Sequence, residues 1–199
     1  MSMLSELVGI AGTLFGAIGI IMTWNSNRKL RALKTITWSD IQTATKYFWK
    51  TLNHNNFQPT IIVTPGQKGG IIAQMIDDFY EEDIPILTGF LEAKSNGQHE
   101  ITDSLVISTT KWYVHLPGFL KTCENKEKVK ILIVDDFVMT GDFLHKFKDS
   151  LLGLGYIEEN ICSCAIAVTG VALDAKKSSD YYWKIVDNKD FDFPWGKAE

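Results

Sequence analysis

The chain has 199 residues, 45% of them hydrophobic and 22% charged, with a formal net charge of −4. That is enough for one α/β domain with a proper core beside a short additional segment. The acidic balance argues against a nucleic-acid-binding surface. Cys123, Cys162 and Cys164 show no metal-ligand spacing, and the sequence has neither repeats nor low-complexity stretches.

The first segment is the most apolar. Leu7 to Asn27 contains no charged residue, about 21 positions, enough to cross a hydrocarbon core at ~1.5 Å per residue. Arg28, Lys29, Arg31 and Lys34 follow at once, whereas only Glu6 is charged before it. The positive-inside rule then puts the N-terminus outside and the remainder in the cytoplasm, as a single-pass membrane protein. Trp24 falls where an interfacial anchor belongs, and the basic cluster suits anionic lipid heads. A cleaved signal peptide is disfavoured, because no basic n-region precedes the run and no small-x-small site follows it. The alternative is a helix buried in a soluble oligomer. Gly9, Gly12, Gly16 and Gly19 share one helical face, flattened further by Thr13 and Ala17. Such a face lets helices approach closely and predicts a homo-oligomer, although glycine is in any case frequent in membrane helices. The layout expected is a transmembrane helix over 1–27, a basic juxtamembrane linker over 28–37 and one domain over 38–199.

The domain begins with Ser39-x-x-Gln42, a capping-box pattern, ahead of an apolar helical face of Ile41, Ala44, Tyr47, Phe48 and Leu52. A strand over 60–63 leads into Thr64-Pro65-Gly66-Gln67-Lys68-Gly69-Gly70 and a helix over 71–81. A strand over 85–91, a polar stretch over 92–104 and a strand over 110–116 follow. Ile131 to Val134 form a buried strand that runs into Asp135 and Asp136. A loop with Thr140-Gly141, a helix over 143–153 and a strand over 161–168 complete the path. Cys162 and Cys164 alternate on that last strand and so share one side, in a reduced core. Strands alternating with helices predict an α/β domain, a mainly parallel sheet flanked by helices. His54, His99, His115 and His145 carry no pattern that assigns them a role.

Two loops carry the chemistry. A carboxylate pair beside a helix N-terminus suits ribose hydroxyls next to a phosphate. Glycines at Gly69 and Gly70, beside Lys68, let backbone N–H groups approach phosphate oxygens.

The string Asp135-Asp136-x-x-x-Thr140-Gly141 resembles the ribose-phosphate signature of the type I phosphoribosyltransferases, which handle phosphoribosyl diphosphate (PRPP). Lys68-Gly69-Gly70 resembles their diphosphate loop, and Asp180-Tyr181-Tyr182 with Phe193-Pro194-Trp195 resembles the closing segment of the purine-type members. The resemblance implies that Asp135 and Asp136 hold the ribose, that Thr140 and Gly141 hold the 5′-phosphate, and that Lys68, Gly69 and Gly70 hold the diphosphate. Tyr182 and Trp195 would lie near the base. Mg²⁺ would be bound through the ligand, and 92–104 would form a flap over the reacting sugar.

Departures from that pattern are equally specific. Met139 stands where purine-type members often have a proton-handling Asp, and Phe143 replaces a hydroxyl residue. Asp142 adds a negative charge to a loop meant for a dianion, which demands that it point away or be neutralised. Two functions follow. One is a membrane-anchored, cytoplasm-facing phosphoribosyltransferase-like protein that binds PRPP or a related nucleotide and, if active, transfers phosphoribose to a nucleobase. The other is a catalytically degenerate nucleotide-sensing domain of an oligomeric membrane effector, by analogy with toxin and antiviral systems.

Overall fold

The structure is a computed structural model that describes residues 35–96 and 103–198. The expected membrane helix with Gly9, Gly12, Gly16 and Gly19, most of the basic linker, His99 and the middle of the flap lie outside the described residues. Among the described residues, no helix is long and apolar enough to cross a membrane.

Helix α1 (Trp38–His54) opens with a capping box formed by Thr37 and Asp40, ahead of the expected Ser39 and Gln42. Thr37 Oγ1 accepts from Asp40 N at 3.2 Å, and Asp40 Oδ2 accepts from Thr37 N at 2.9 Å. Ser39 cannot cap, because it already lies in the first turn. Ile41, Ala44, Phe48 and Leu52 are fully buried, but Tyr47 remains 40% exposed with its ring 5.9 Å from Trp183.

Strand β1 (Ile61–Thr64) is buried throughout. Helix α2 (Gln67–Asp77) starts four residues before the expected 71 and stops four before 81, so Lys68, Gly69 and Gly70 form its first turn rather than a loop. Gly69 permits this. A Cβ there would stand 2.6 Å from the Val134 carbonyl, so only glycine lets the helix start against the sheet.

The expected strand over 85–91 is two strands, β2 (Ile86–Thr88) and β3 (Phe90–Ala93), split at Gly89 and assigned to different sheets. β3 pairs antiparallel with β5 (Trp112–Pro117), and β5 with β4 (Ser104–Ser108). The polar stretch therefore begins and ends in strand. Leu105-Val106-Ile107, flanked by serines, is too short a run to stand out in the sequence. A short helix α3 (Phe119–Thr122) precedes β6 (Ile131–Val138). β6 runs four residues beyond the expected end, so the acid pair lies within the strand. Helix α4 (Asp142–Gly153), β7 (Ile161–Thr169), α5 (Gly170–Asp174), β8 (Tyr181–Val186) and a small hairpin of β9 (Asp192–Phe193) and β10 (Gly196–Lys197) follow.

The main sheet has the order β2-β1-β6-β7-β8, and every neighbouring pair is parallel. One face packs Ile62, Leu132, Val134 and Ile166 against Ile41, Phe48, Ile72 and Ile76 of α1 and α2. The other packs Ile131, Ile133 and Val168 against Phe147 and Leu151 of α4, with Val114 and Leu116 of the antiparallel sheet. Each such side chain contributes about 1.5–3 kcal/mol on burial. Cys162 and Cys164 are buried free thiols in the first cluster, and burial pushes the Cys162 thiol up to about 12.

Candidate functional site

The chain leaves β1 toward β2 on one side, and β6 lies on the other, so the strand order reverses between β1 and β6. In open parallel sheets, loops diverge at such a point and leave a crevice beyond the strand ends. Here the crevice is a cleft of about 880 Å³. Lys68, Gly69, Asp135, Asp136, Thr140 and Gly141 all line it.

Asp135 and Asp136 are adjacent in a strand, where side chains ordinarily alternate between faces. The packing changes phase at this point. Val134 and Phe137 both belong to one core cluster, whereas Ile133 and Val138 belong to the other. Both carboxylates thus reach the cleft. Asp136 N donates to Asp135 Oδ1 at 2.9 Å, and Trp195 Nε1 donates to Asp136 Oδ2 at 3.3 Å. Burial pushes the Asp135 carboxyl well above its ordinary 3.8, and the neighbouring Asp136 charge adds to this. Burial also raises Asp136, while the Lys68 ammonium pulls it back. The pair is thus unequal: Asp135 holds its proton the more tightly, while Asp136 is eased by the Lys68 ammonium and the Trp195 N–H.

Lys68 stands on the same side as the acids and acts on both electrostatically. Its Nζ also lies 3.5 Å from the Lys197 carbonyl. Gly69 packs against the sheet as described, and Gly70 faces Thr88 outside the cleft lining.

On the other rim, Gly141 caps α4 with φ +73, and a Cβ on it would stand 2.0 Å from the Lys177 carbonyl. Gly141 itself brings no capping side chain to this helix end, whose N-terminal N–H groups favour an anion. Thr140 Oγ1 accepts from Asp142 N at 3.4 Å. The Asp142 charge is met by a cation. Lys177 Nζ lies 3.0 Å from its Oδ1 and holds that carboxyl below the usual range. Met139 lines the cleft, and its carbonyl accepts from Thr169 Oγ1 at 2.5 Å. Phe143, in place of a hydroxyl, stacks on Phe147 at 5.6 Å and serves the core.

The third wall comes from the antiparallel sheet, through Phe90, Leu91, Lys111 and Trp112. His115 braces that sheet from behind. It is buried, bonds Glu92 Oε2 through Nε2 at 2.9 Å and stacks on Phe90 at 4.6 Å. Sequence patterns missed this wall and Lys177, since nothing marks a lysine 35 residues beyond its partner. Tyr182 lies outside the lining, packed on the α4 side of the sheet, whereas Trp195 reaches the acid pair.

No protein-family model and no curated protein matches this chain. Solved structures do. The purine phosphoribosyltransferase from Pyrococcus horikoshii Ot3 aligns with a TM-score of 0.60 at 18% identity, over 83% of this chain and 95% of its own. A hypothetical protein from Neisseria gonorrhoeae with bound ppGpp aligns at 0.57 and 16%, over 81% and 89%. The Helicobacter pylori xanthine-guanine-hypoxanthine phosphoribosyltransferase aligns at 0.56 and 13%, over 81% and 90%. At these identities the likeness speaks for architecture, and the chain has the phosphoribosyltransferase-like fold.

Proposed function

We propose that the cleft binds PRPP or a related 5′-phosphorylated ribonucleotide, in a domain that a self-associating membrane helix presents to the cytoplasm. One observation carries this reading: Lys68, the acid pair and the Thr140-Gly141 loop converge on one cleft at the strand-order reversal. Asp135 and Asp136 accept hydrogen bonds from the ribose hydroxyls. The α4 N-terminus with Thr140 and Gly141 takes the 5′-phosphate. Lys68 faces the diphosphate, with the first turn of α2 behind it.

Mg²⁺ fits this donor set as a ligand-borne ion. Among the described residues, no group of three His, Cys, Asp or Glu side chains forms a metal site. The desolvated acid pair, however, supplies negative charge where ligand oxygens would share a cation. When bound, the ion would offset the diphosphate charge.

Transfer, if catalysed, breaks the bond from C1 of the ribose to diphosphate and forms one to a base nitrogen, whose proton leaves. A second reading, ligand sensing without turnover, is favoured by Met139. A thioether in the cleft accepts no proton. The neighbouring Thr169 hydroxyl is already spent on the Met139 carbonyl and on Ala172 N.

Calorimetry with PRPP, Mg²⁺ and a nucleotide panel tests the site. The panel includes ppGpp, which the Neisseria neighbour binds. Asp136→Asn is expected to weaken binding by at least about tenfold, the worth of a charged hydrogen bond, with the fold intact. Unchanged affinity removes the site. Diphosphate release with a nucleobase panel separates transfer from sensing. The N-terminal part of the proposal predicts that Gly12→Leu with Gly16→Leu abolishes cross-linked oligomers of the full chain in membranes. Cross-linking equal to wild type refutes it.

A further inference from the structure

Two residues assigned to the ligand are already engaged by the C-terminal hairpin. The Trp195 indole N–H sits on Asp136, and the Lys197 carbonyl faces Lys68. The same hairpin is fastened to the beginning of the domain. Ile36 N donates to Asp192 O at 2.8 Å, and Thr35 bridges to Asp192. Thr35 and Ile36 belong to the last residues of the segment read as the juxtamembrane linker, 28–37.

Aromatic rings make a second connection. Phe137, next to Asp136, meets Phe191 edge-on at 5.2 Å, and Phe191 meets Phe193 at 5.1 Å. Phe193 stacks on Trp195 at 5.0 Å, and Trp195 meets Trp38 at 5.7 Å. An unbroken ladder of rings thus runs from the acid pair to the first turn of α1. A hairpin with two residues per strand is marginal by itself. Phe191, Phe193 and Ala198 hold it in place, buried in the same core cluster as Phe137 and Ile36, so the acid-bearing strand, the hairpin and the start of the domain share one packed contact.

We propose that the C-terminal hairpin is a latch that the ligand displaces. Occupancy of the cleft by a phosphorylated ribose lifts Trp195 from Asp136 and loosens the hold of the hairpin on residues 35–38, so the state of the cleft is passed to the N-terminal segment. This rests on the reading of the cleft given above. The coupling is reciprocal. Whatever pulls Ile36 away from Asp192 raises ligand affinity by the same factor by which the ligand favours that release.

The test uses the full chain in lipid nanodiscs, with PRPP and Mg²⁺ as the probe and amide hydrogen exchange as the readout. Saturating PRPP is expected to speed exchange in the segments 35–38 and 191–198 by about tenfold or more, while β1 and β6 stay protected. Trp195→Phe keeps a ring in the ladder but removes the donor to Asp136. It is expected to tighten PRPP binding about tenfold, the usual worth of a hydrogen bond to a charged group. Unchanged or slower exchange in both segments with PRPP bound overturns the latch, as does weaker binding by Trp195→Phe. The exchange comparison on the wild-type chain needs no variant to fold. Absence of PRPP binding, with Asp136→Asn indifferent, removes the cleft reading and the latch together. Binding lost in Asp136→Asn, with exchange unaltered by PRPP in the wild type, removes the latch alone.

Discussion

Replacing Lys177 with alanine should expose how the cleft tolerates an acid in a loop proposed to hold phosphate. Lys177 Nζ lies 3.0 Å from Asp142 Oδ1, with the two side chains 34% and 35% exposed. Without the lysine, the Asp142 carboxylate acts unopposed on an incoming 5′-phosphate. A unit charge about 6 Å from a dianion, at an effective dielectric of about 40, opposes it by about 3 kcal/mol. Solvent exposure and physiological salt cut this by about half, to about 1.4 kcal/mol or tenfold in affinity. Titration calorimetry should therefore show Lys177→Ala binding PRPP about tenfold more weakly, with Lys177→Arg close to wild type. The unphosphorylated nucleoside should bind both forms alike, and the difference should shrink in about 1 M salt. Adding Asp142→Asn to Lys177→Ala should restore affinity. Full PRPP affinity in Lys177→Ala, or a double variant as weak as the single one, refutes the reasoning.

Two further outcomes follow from the same geometry. The Asp135 carboxyl is pushed up by burial, so the folded state binds its proton more tightly than the unfolded chain does. The resulting penalty is absent below the ordinary 3.8 and grows as pH rises through the raised value. Asp135→Asn should therefore raise the melting temperature at alkaline pH, with the gain fading as pH falls toward that lower limit. A gain confined to acid refutes the assignment. Gly141→Ala must place a Cβ at φ +73 and 2.0 Å from the Lys177 carbonyl, and should cost about 3 kcal/mol by denaturant unfolding. Gly155→Ala, at φ +96 but with nothing within 4 Å, should cost about 1 kcal/mol. Equal costs would mean that the contact with Lys177 is immaterial.

Hydrophobic runs made the parallel sheet legible, because β1 and the first half of β6 are buried on both faces and read as unbroken apolar segments. The acid pair and the Thr140-Gly141 turn were legible because strand, acids and helix start are contiguous. Boundaries were not. Lys68-Gly69-Gly70 reads as a loop by composition, yet close packing of Gly69 on the Val134 carbonyl draws it into α2. The antiparallel sheet stayed hidden because β4 is half-buried and framed by serines, so its pairing with β5, not its own pattern, makes it a strand. Lys177 and the contact between Trp195 and Asp136 depend on distant parts of the chain meeting, 35 and 59 residues apart. No local pattern encodes such meetings.

Ile61 of β1 aligns with Ile131 of β6, across the whole length of the antiparallel insertion. The two rims of the cleft hang from these two strands, so neither rim is in place until that remote pairing closes. A nascent or truncated chain ending before β6 has half a receptacle. A ligand of the proposed kind then has no purchase on the polypeptide until β6 has been made, and would stabilise only molecules whose central strands have already met.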